Sequence, residues 1–334
     1  MQNQYLVTQN ESGTRLDKFI ADKETTLSRS FIQKLISDGY VNINDVSTKP
    51  SHNVHSGDVV KIQIIQPQHE IAPQAEDIPI DIVYEDDEII VVNKPAGMVV
   101  HPATGTTSGT LVNALLSHFP SSEQGDYDDI DDESKWTDTL DISSISQQRP
   151  GIVHRIDKGT SGLLVVAKTI NAYYNLAKQV REHSMTRRYI AVVCGIPKQD
   201  KGTIIAPIGR SSHDRKKMAV TPVRSRDAIT HFTVLEKYAD FSLIEVRLET
   251  GRTHQIRVHF AYIGHPVVGD PDYGGEDRAL KTKLPESVIN VMRNLSRQAL
   301  HAELLGFKHP KTDKYIEFSA PIPQDMQNLI DVLR

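Results

Sequence analysis

The run Leu163–Ala167 constrains the fold more than any other feature, because Leu-Leu-Val-Val-Ala has no polar position. A strand without polar alternation is covered on both faces. It needs a layer of structure on each side, and so a domain built around a central sheet. The chain's 334 residues supply enough material and predict two domains. No apolar run approaches the roughly 18 residues of a membrane span. The start, MQNQYLVTQN, has no charged segment followed by an apolar one, which argues against a secretory signal. Cys194 is the single cysteine, so no internal disulfide or cysteine-based metal cluster is expected, and the cytoplasm is the expected compartment.

Punctuation divides the chain. Residues 1–12 are polar and expected to fray. Residues 13–65 predict a small unit of two helices and short strands. Leu16, Phe19 and Ile20 recur at helical spacing, and Ser28 is placed to cap a second helix with the stripe Ile32, Leu35 and Ile36, stopped by Gly39. Tyr40–Ile43 and Val59–Ile65 read as strands. Residues 66–79 hold three prolines and little core material, and predict a linker. A larger unit follows over 80–334, with strands at Ile82–Tyr84, Ile89–Asn93 and Tyr189–Val193 and helices at Leu111–Phe119 and Ala172–Arg181.

Net charge is -5, which at first sight does not suit a polyanion binder. The charge is segregated, however. Residues 121–148 hold nine acids and one base, and predict a solvated, mobile insertion. Residues 178–257 hold sixteen Lys/Arg against eight Asp/Glu. Local sign governs polyanion binding more than the sum does.

Three blocks carry chemical content. In H-R-I-D-K-G-T-S-G, Asp157 precedes the buried strand, where rigid scaffold supports precise chemistry. A purely structural reading makes it a turn cap acting through Thr160 or Ser161. In G-R-T-H-Q-I-R-V-H-F, Thr253 is placed to cap a helix carrying Ile256, Phe260 and Ile263, with Arg252 at its start. His254 and His259 do not have the spacing of a helical zinc pair. In T-R-R-Y-I-A-V-V-C-G, Tyr189 opens an apolar strand and reads first as a half-buried strand aromatic. There is no P-loop and no G-x-G-x-x-G, which leaves nucleotide cofactors without a binding motif.

T-R-L-D-K-F, then S-R-S-F-I-Q-K-L-I-S-D-G-Y-V-N-I-N, then S-G-D-V-V resembles an S4 RNA-binding domain. The turn Asn44-Asp45 departs from the usual Asn-Gly in a way Asp tolerates. N-K-P-A-G-M-V-V-H-P at 93–102, the H-R-I-D block, R-R-Y, G-R-T-H-Q-I-R and R-Q-A-L-H-A follow in one order. Together they resemble the RluA/RluD family of pseudouridine synthases, of the type that carries an S4 domain.

The resemblance implies an α+β catalytic unit, with a mixed, largely antiparallel central sheet and a cleft across it. The strand pattern alone does not select this over a doubly wound sheet. The implied reaction isomerises uridine to pseudouridine in RNA, with no cofactor and no metal. Asp157 is then the catalytic carboxylate, Arg252 its ion-pair partner, and Tyr189 the aromatic that stacks on uracil. Arg155 is expected to fill the space left by the flipped nucleotide. Arg29, Ser30, Gln33 and Lys34 are expected to face RNA phosphates, and Arg187, Arg188, Arg215, Lys216 and Lys217 to hold the flanking backbone. The implied partner is a stem-loop of large-subunit ribosomal RNA, free or in an assembling subunit, and the protein is expected to act as a monomer. Two other readings stand beside this one: a non-catalytic assembly protein of the same fold, and a hydrolase of small nucleosides.

Overall fold

In the computed structural model the chain divides into two compact units, Met1–Ala72 and Pro73–Arg334. The structure describes residues 2–25, 27, 29–64, 73–102, 106–119, 151–214, 216–280 and 284–334. The predicted cap Ser28, the residue Arg215 and the acidic insertion 121–148 lie outside the described residues.

The first unit contains β1 (Gln2–Leu6), α1 (Leu16–Lys23), α2 (Arg29–Ser37), β2 (Val41–Ile43), β3 (Val46–Ser47) and β4 (Val59–Gln63). Its four strands are ordered β1-β4-β2-β3. Leu16, Phe19 and Ile20 from α1 meet Ile32, Leu35 and Ile36 from α2 over Val41, Val60 and Ile62, as their spacing predicts. The frayed start expected for residues 1–12 is corrected. β1 pairs antiparallel with β4 from Gln2↔Gln63 to Leu6↔Val59, and Val7 is buried in the core. A polar sequence gains this order because an edge strand needs only one apolar face. Asn44 and Asp45 both take positive φ, 50° and 65°, in the tight turn between β2 and β3.

The second unit contains β5 (Asp81–Glu85), β6 (Ile89–Lys94), α3 (Leu111–His118), β7 (Gly151–Ile152), β8 (Ser161–Ala167), α4 (Ile170–Arg181) and β9 (Thr186–Cys194). After these come β10 (Lys201–Ile205), β11 (Ile208–Arg210), β12 (Met218–Val220), β13 (Ser225–Arg226), β14 (Ile229–Lys237), β15 (Phe241–Leu248) and α5 (Gln255–Tyr262). The unit ends with α6 (Gly275–Leu280), α7 (Glu286–Leu295), β16 (Leu300–Lys308), β17 (Tyr315–Ser319) and α8 (Gln324–Leu333). The main sheet runs β10-β14-β15-β9-β16-β8-β6-β5, with β17 on β16 and β7 on β8. β8 and β16 are parallel, and the other paired strands of the sheet are antiparallel. This is the mixed, largely antiparallel sheet expected, not a doubly wound one.

β8 is covered on both faces. Leu164 and Val166 enter one core, with Leu111 and Leu115 of α3. Leu163, Val165 and Ala167 enter the other, with Tyr173, Leu176 and Ala177 of α4. Of the linker predicted over 66–79, residues 66–72 lie outside the described residues and the rest is not free. Glu76 N donates to the Asn113 carbonyl at 3.0 Å, Asn113 Nδ2 donates to the Gln74 carbonyl at 2.8 Å, and the Glu76 carboxylate accepts from Gly109 N. Residues 73–79 are therefore fastened to the second unit.

Candidate active site

Asp157 stands in the turn that feeds β8. That turn is closed by the backbone, with Thr160 N donating to the Asp157 carbonyl at 3.0 Å. Thr160 Oγ1 instead accepts from Gln298 Nε2, and Ser161 Oγ meets His301 Nδ1. The structural reading of Asp157 as a cap through either hydroxyl therefore fails, and its carboxylate is left for an ion pair.

That pair comes from Arg257, whose Nη1 lies 3.2 Å from Asp157 Oδ2. Arg257 sits on α5, with its neighbours Ile256, Val258 and Phe260 buried in the core. Its Nε and Nη2 fork onto Asp270 at 2.7 and 2.9 Å, and Nη2 also reaches Asp272 at 2.6 Å. The Tyr273 ring lies 5.0 Å away on a cation–π contact. Burial opposes its charge. The hydrogen bonds and charge of Asp270, joined by Asp157 and Asp272, outweigh that and raise its pKa above the ordinary arginine value. The planar fork is what lets one side chain serve three carboxylates.

Arg252, the partner expected from the sequence, lines the same cavity, and its Nε donates to the Asp227 carbonyl at 3.0 Å. Arg257, the cation seen paired with Asp157, is five residues further on in the same motif. Thr253 is not the cap of this helix either. The position before α5 is His254, at φ 57°, whose Nδ1 meets the Tyr273 hydroxyl at 2.8 Å.

Lys94 supports the turn from below. It is 1% exposed, and its Nζ donates to the carbonyls of Pro95 and Met98 at 2.8 Å and of Lys158 at 3.4 Å. Burial lowers its pKa to about 7, with Asp157 opposing the shift and Arg297 adding to it.

Asp157, Arg252, His254 and Arg257 line a cavity of about 680 Å³. Asp157, Tyr189, Arg155, Arg187 and Arg252 all face it. Around it stand Arg155, Arg181, Arg210, Arg224 and Arg226, each exposed. Tyr189 is 7% exposed, and burial raises its pKa, with Arg187 opposing and Asp157 adding.

Not every predicted RNA contact is brought to this cavity. Arg188 lies on the opposite face of β9 from Arg187, paired with Glu303 at 2.7 Å and Glu245 at 3.8 Å. Strand alternation explains why two adjacent arginines part company. Lys217 Nζ donates to the Asp272 carbonyl at 2.7 Å, tying β12 to the loop that holds Arg257. Lys216 is exposed beside it.

In the first unit, Arg29 and Gln33 gather on a residue that sequence reasoning passed over. Asp17 is fully buried and accepts from Arg15, Arg29 and Gln33, at 3.0, 3.1 and 2.6 Å for the closest contacts. Lys34 is exposed on α2, and the Ser30 side chain lies outside the described residues. Hydrogen bonds from Arg15, opposed by burial and reinforced by Arg29 and Gln33, hold Asp17 far below the usual carboxylate range. The stability it contributes is therefore full above the unfolded value of about 3.9, and is lost only as pH falls through the lower folded value. Asp17→Asn is expected to cost about 1–3 kcal/mol at neutral pH and to flatten the acid limb of an unfolding titration of this unit. An unchanged acid limb would show that Asp17 does not carry it.

A half-buried carboxylate paired with an arginine, a buried tyrosine and a rim of exposed arginines suit an aromatic base carried on a polyanion. Comparison with known proteins gives the class. Residues 88–262 match the family model described as RNA pseudouridylate synthase, and residues 14–60 match the S4 domain. An uncharacterised RNA pseudouridine synthase of Bacillus subtilis (strain 168), YlyB, is 45% identical over 99% of both chains. Ribosomal large subunit pseudouridine synthase D of Vibrio parahaemolyticus is 42% identical over 98% of this chain and 93% of its own. Among solved structures, human RNA pseudouridylate synthase domain containing 1 superposes with a TM-score of 0.51 at 26% identity, covering 74% of this chain and 85% of the human one. The chain belongs to the RNA pseudouridylate synthase family, and it carries an S4 domain in front of the catalytic unit.

Proposed function

We propose that this pseudouridine synthase acts on uridines of large-subunit ribosomal RNA, presented in a stem-loop. The observation that carries the chemistry is the Arg257–Asp157 pair at the wall of the arginine-rimmed cavity. The ribosomal RNA assignment rests on relatives named ribosomal large subunit pseudouridine synthase D that match nearly the whole chain.

The glycosidic carbon and C5 of a stacked uridine are not accessible together, so the nucleotide leaves its stack, at a cost of a few kcal/mol that is least in a loop. The exposed arginines receive the flanking phosphates, and Arg155 takes the place the base has left. Tyr189 supplies a face for the uracil. Asp157, held and aimed by Arg257, either bonds to C1′ or takes the C2′ proton while the C1′–N1 bond breaks. The freed ring turns and C5 bonds to C1′ as the ester bond from C1′ to Asp157 breaks, or as Asp157 returns its proton to C2′ across the C1′–C2′ double bond. Either step regenerates the carboxylate. C5 then gives up its proton to solvent and N1 takes one up. No step calls for a redox change or a hydrolytic water.

Arg29, Gln33 and Lys34 on α2 form the second, weaker RNA contact, with Asp17 fixing the first two. Their part is to raise the local concentration of RNA at the catalytic unit. The protein is taken to work as a cytoplasmic monomer. Burial pushes the Cys194 thiol up to about 12, so it offers no reactive thiolate.

Large-subunit ribosomal RNA from cells lacking this protein should lose pseudouridine at defined positions in carbodiimide mapping. Wild-type protein should restore them and Asp157→Asn should not. An unchanged pseudouridine map of that RNA, with losses in transfer RNA instead, would overturn the assignment.

A further inference from the structure

We infer that Arg187 is a catalytic residue that binds the uracil ring as an anion after the glycosidic bond breaks. The inference rests on the synthase reading above and gives the floor of the same cavity a role of its own.

Arg187 is 6% exposed and lines the cavity two residues before Tyr189 on the same face of β9. One bond ties it down, from Nη2 to the Glu249 carbonyl at 3.1 Å. Its Nε is buried with no hydrogen-bond partner. Among the described residues, no carboxylate forms an ion pair with it. The other buried arginines, Arg257 and Arg297, each have carboxylate partners. A buried cation with an idle donor is costly to keep unless a partner arrives. His154 supplies a second idle donor. Its Nε2 accepts from Val165 N at 3.2 Å, which leaves the hydrogen on Nδ1, buried and unpartnered. Gly251 completes the cradle, since a Cβ there would stand 2.5 Å from Arg187 Nη1.

The charge balance of the reaction says what the partner is. Asp157 starts as the anion. If it bonds to C1′, it becomes an uncharged ester. If it takes the C2′ proton, it becomes an uncharged acid and a C1′–C2′ double bond forms. In both cases the electron pair of C1′–N1 leaves with the ring and spreads over N1, O2 and O4. One negative charge therefore moves from the carboxylate beside Arg257 onto the uracil. Arg187 is a cation already in place without a carboxylate, next to the aromatic that holds the ring. Donors fixed in advance where charge develops are the strongest aid a water-poor site offers.

Depth separates this role from a phosphate contact. A phosphodiester belongs to a chain that stays outside, where Arg155, Arg181, Arg210, Arg224 and Arg226 are exposed. The base is the part of the nucleotide that enters furthest, and of the two buried arginines that line the cavity among the described residues, Arg257 is held by carboxylates and Arg187 is not.

The test compares single-turnover loss of the target nucleoside in nuclease digests, using one ribosomal RNA fragment with uridine or 5-fluorouridine at the modified position. Fluorine at C5 stabilises the ring anion by itself. Arg187→Gln should slow the uridine reaction by about 10²–10³-fold, and its deficit on 5-fluorouridine should be at least about tenfold smaller. Its RNA Kd should stay within about two-fold of wild type at equal salt. Gly251→Ala, which displaces the guanidinium without deleting it, should show the same narrowing and guards against a variant that fails to fold. Equal deficits on both substrates in the folded variants would overturn the inference. So would weakened RNA binding with a reduced salt slope and unslowed chemistry. No conversion of uridine by wild type would instead overturn the synthase reading.

Discussion

Asp157→Asn is expected to abolish isomerisation while leaving RNA binding intact. The substitution keeps size and shape, so the turn closed by Thr160 N on the Asp157 carbonyl survives. The amide neither bonds to C1′ nor takes the C2′ proton, so both routes stop at the same atom. A loss on the order of 10⁴–10⁶ in the single-turnover rate is expected, as for other essential groups that act at the reacting centre. In the proposed function the phosphates are held by the exposed arginine rim, which the change does not touch. Filter binding should therefore return a Kd within about two-fold of wild type. A folded variant that retains a tenth of the rate would remove Asp157 from the centre of the chemistry.

Arg257→Met is expected to damage stability and catalysis together. Asp270 is fully buried, and its carboxylate takes both arms of the Arg257 fork. Without that cation it becomes an uncompensated buried charge, at a cost of about 3–5 kcal/mol. Asp157 loses the donor that fixes its direction, so the variant that still folds should lose about 10²–10³ in rate, as expected for a misplaced reacting group. Arg257→Lys restores a charge but not the fork, and should recover less than half of the lost stability. Thermal unfolding and single-turnover rates on the same samples read both effects. Arg252→Met should cost less thermal stability than Arg257→Met, because the fully buried Asp270 keeps both arms of the Arg257 fork. The reverse ranking of the two arginines would contradict the geometry.

The sequence carried the parts of this molecule that local pattern controls. Leu163–Ala167 and Ile89–Val92 alternate between two cores, and their unbroken apolar character announced both layers. The direction in which strands pair is a different matter. Nothing in β8 or β16 by itself states that they run parallel, because pairing depends on where the intervening chain returns. β1 escaped notice for the same reason, since a short polar strand becomes ordered only once β4 offers its edge.

At the site, Asp157, Tyr189 and Arg252, named from their blocks, all line the cavity, and the Arg257–Asp157 pair is the contact that the sequence reading passed over. The signal was an arginine set among Ile256, Val258 and Phe260 on a helix. An arginine on an apolar face needs carboxylates, and G-D-P-D-Y at 269–273 follows within a short loop. Asp17 had a similar mark, an acid next to Leu16 and near Phe19 on the inner face of α1. Arg187 and Arg188 look alike in sequence, and strand alternation alone sent one to the cavity and the other to Glu303.

The most direct test of the account uses large-subunit ribosomal RNA transcribed with tritium at uridine C5. Bonding of C5 to the sugar expels that tritium into water. Purified wild-type protein should release it from this RNA in amounts matching the pseudouridine formed, and Asp157→Asn should release none above background. Release by Asp157→Asn at the wild-type rate, or no release by wild type from either the transcript or assembled large subunits, would contradict the account.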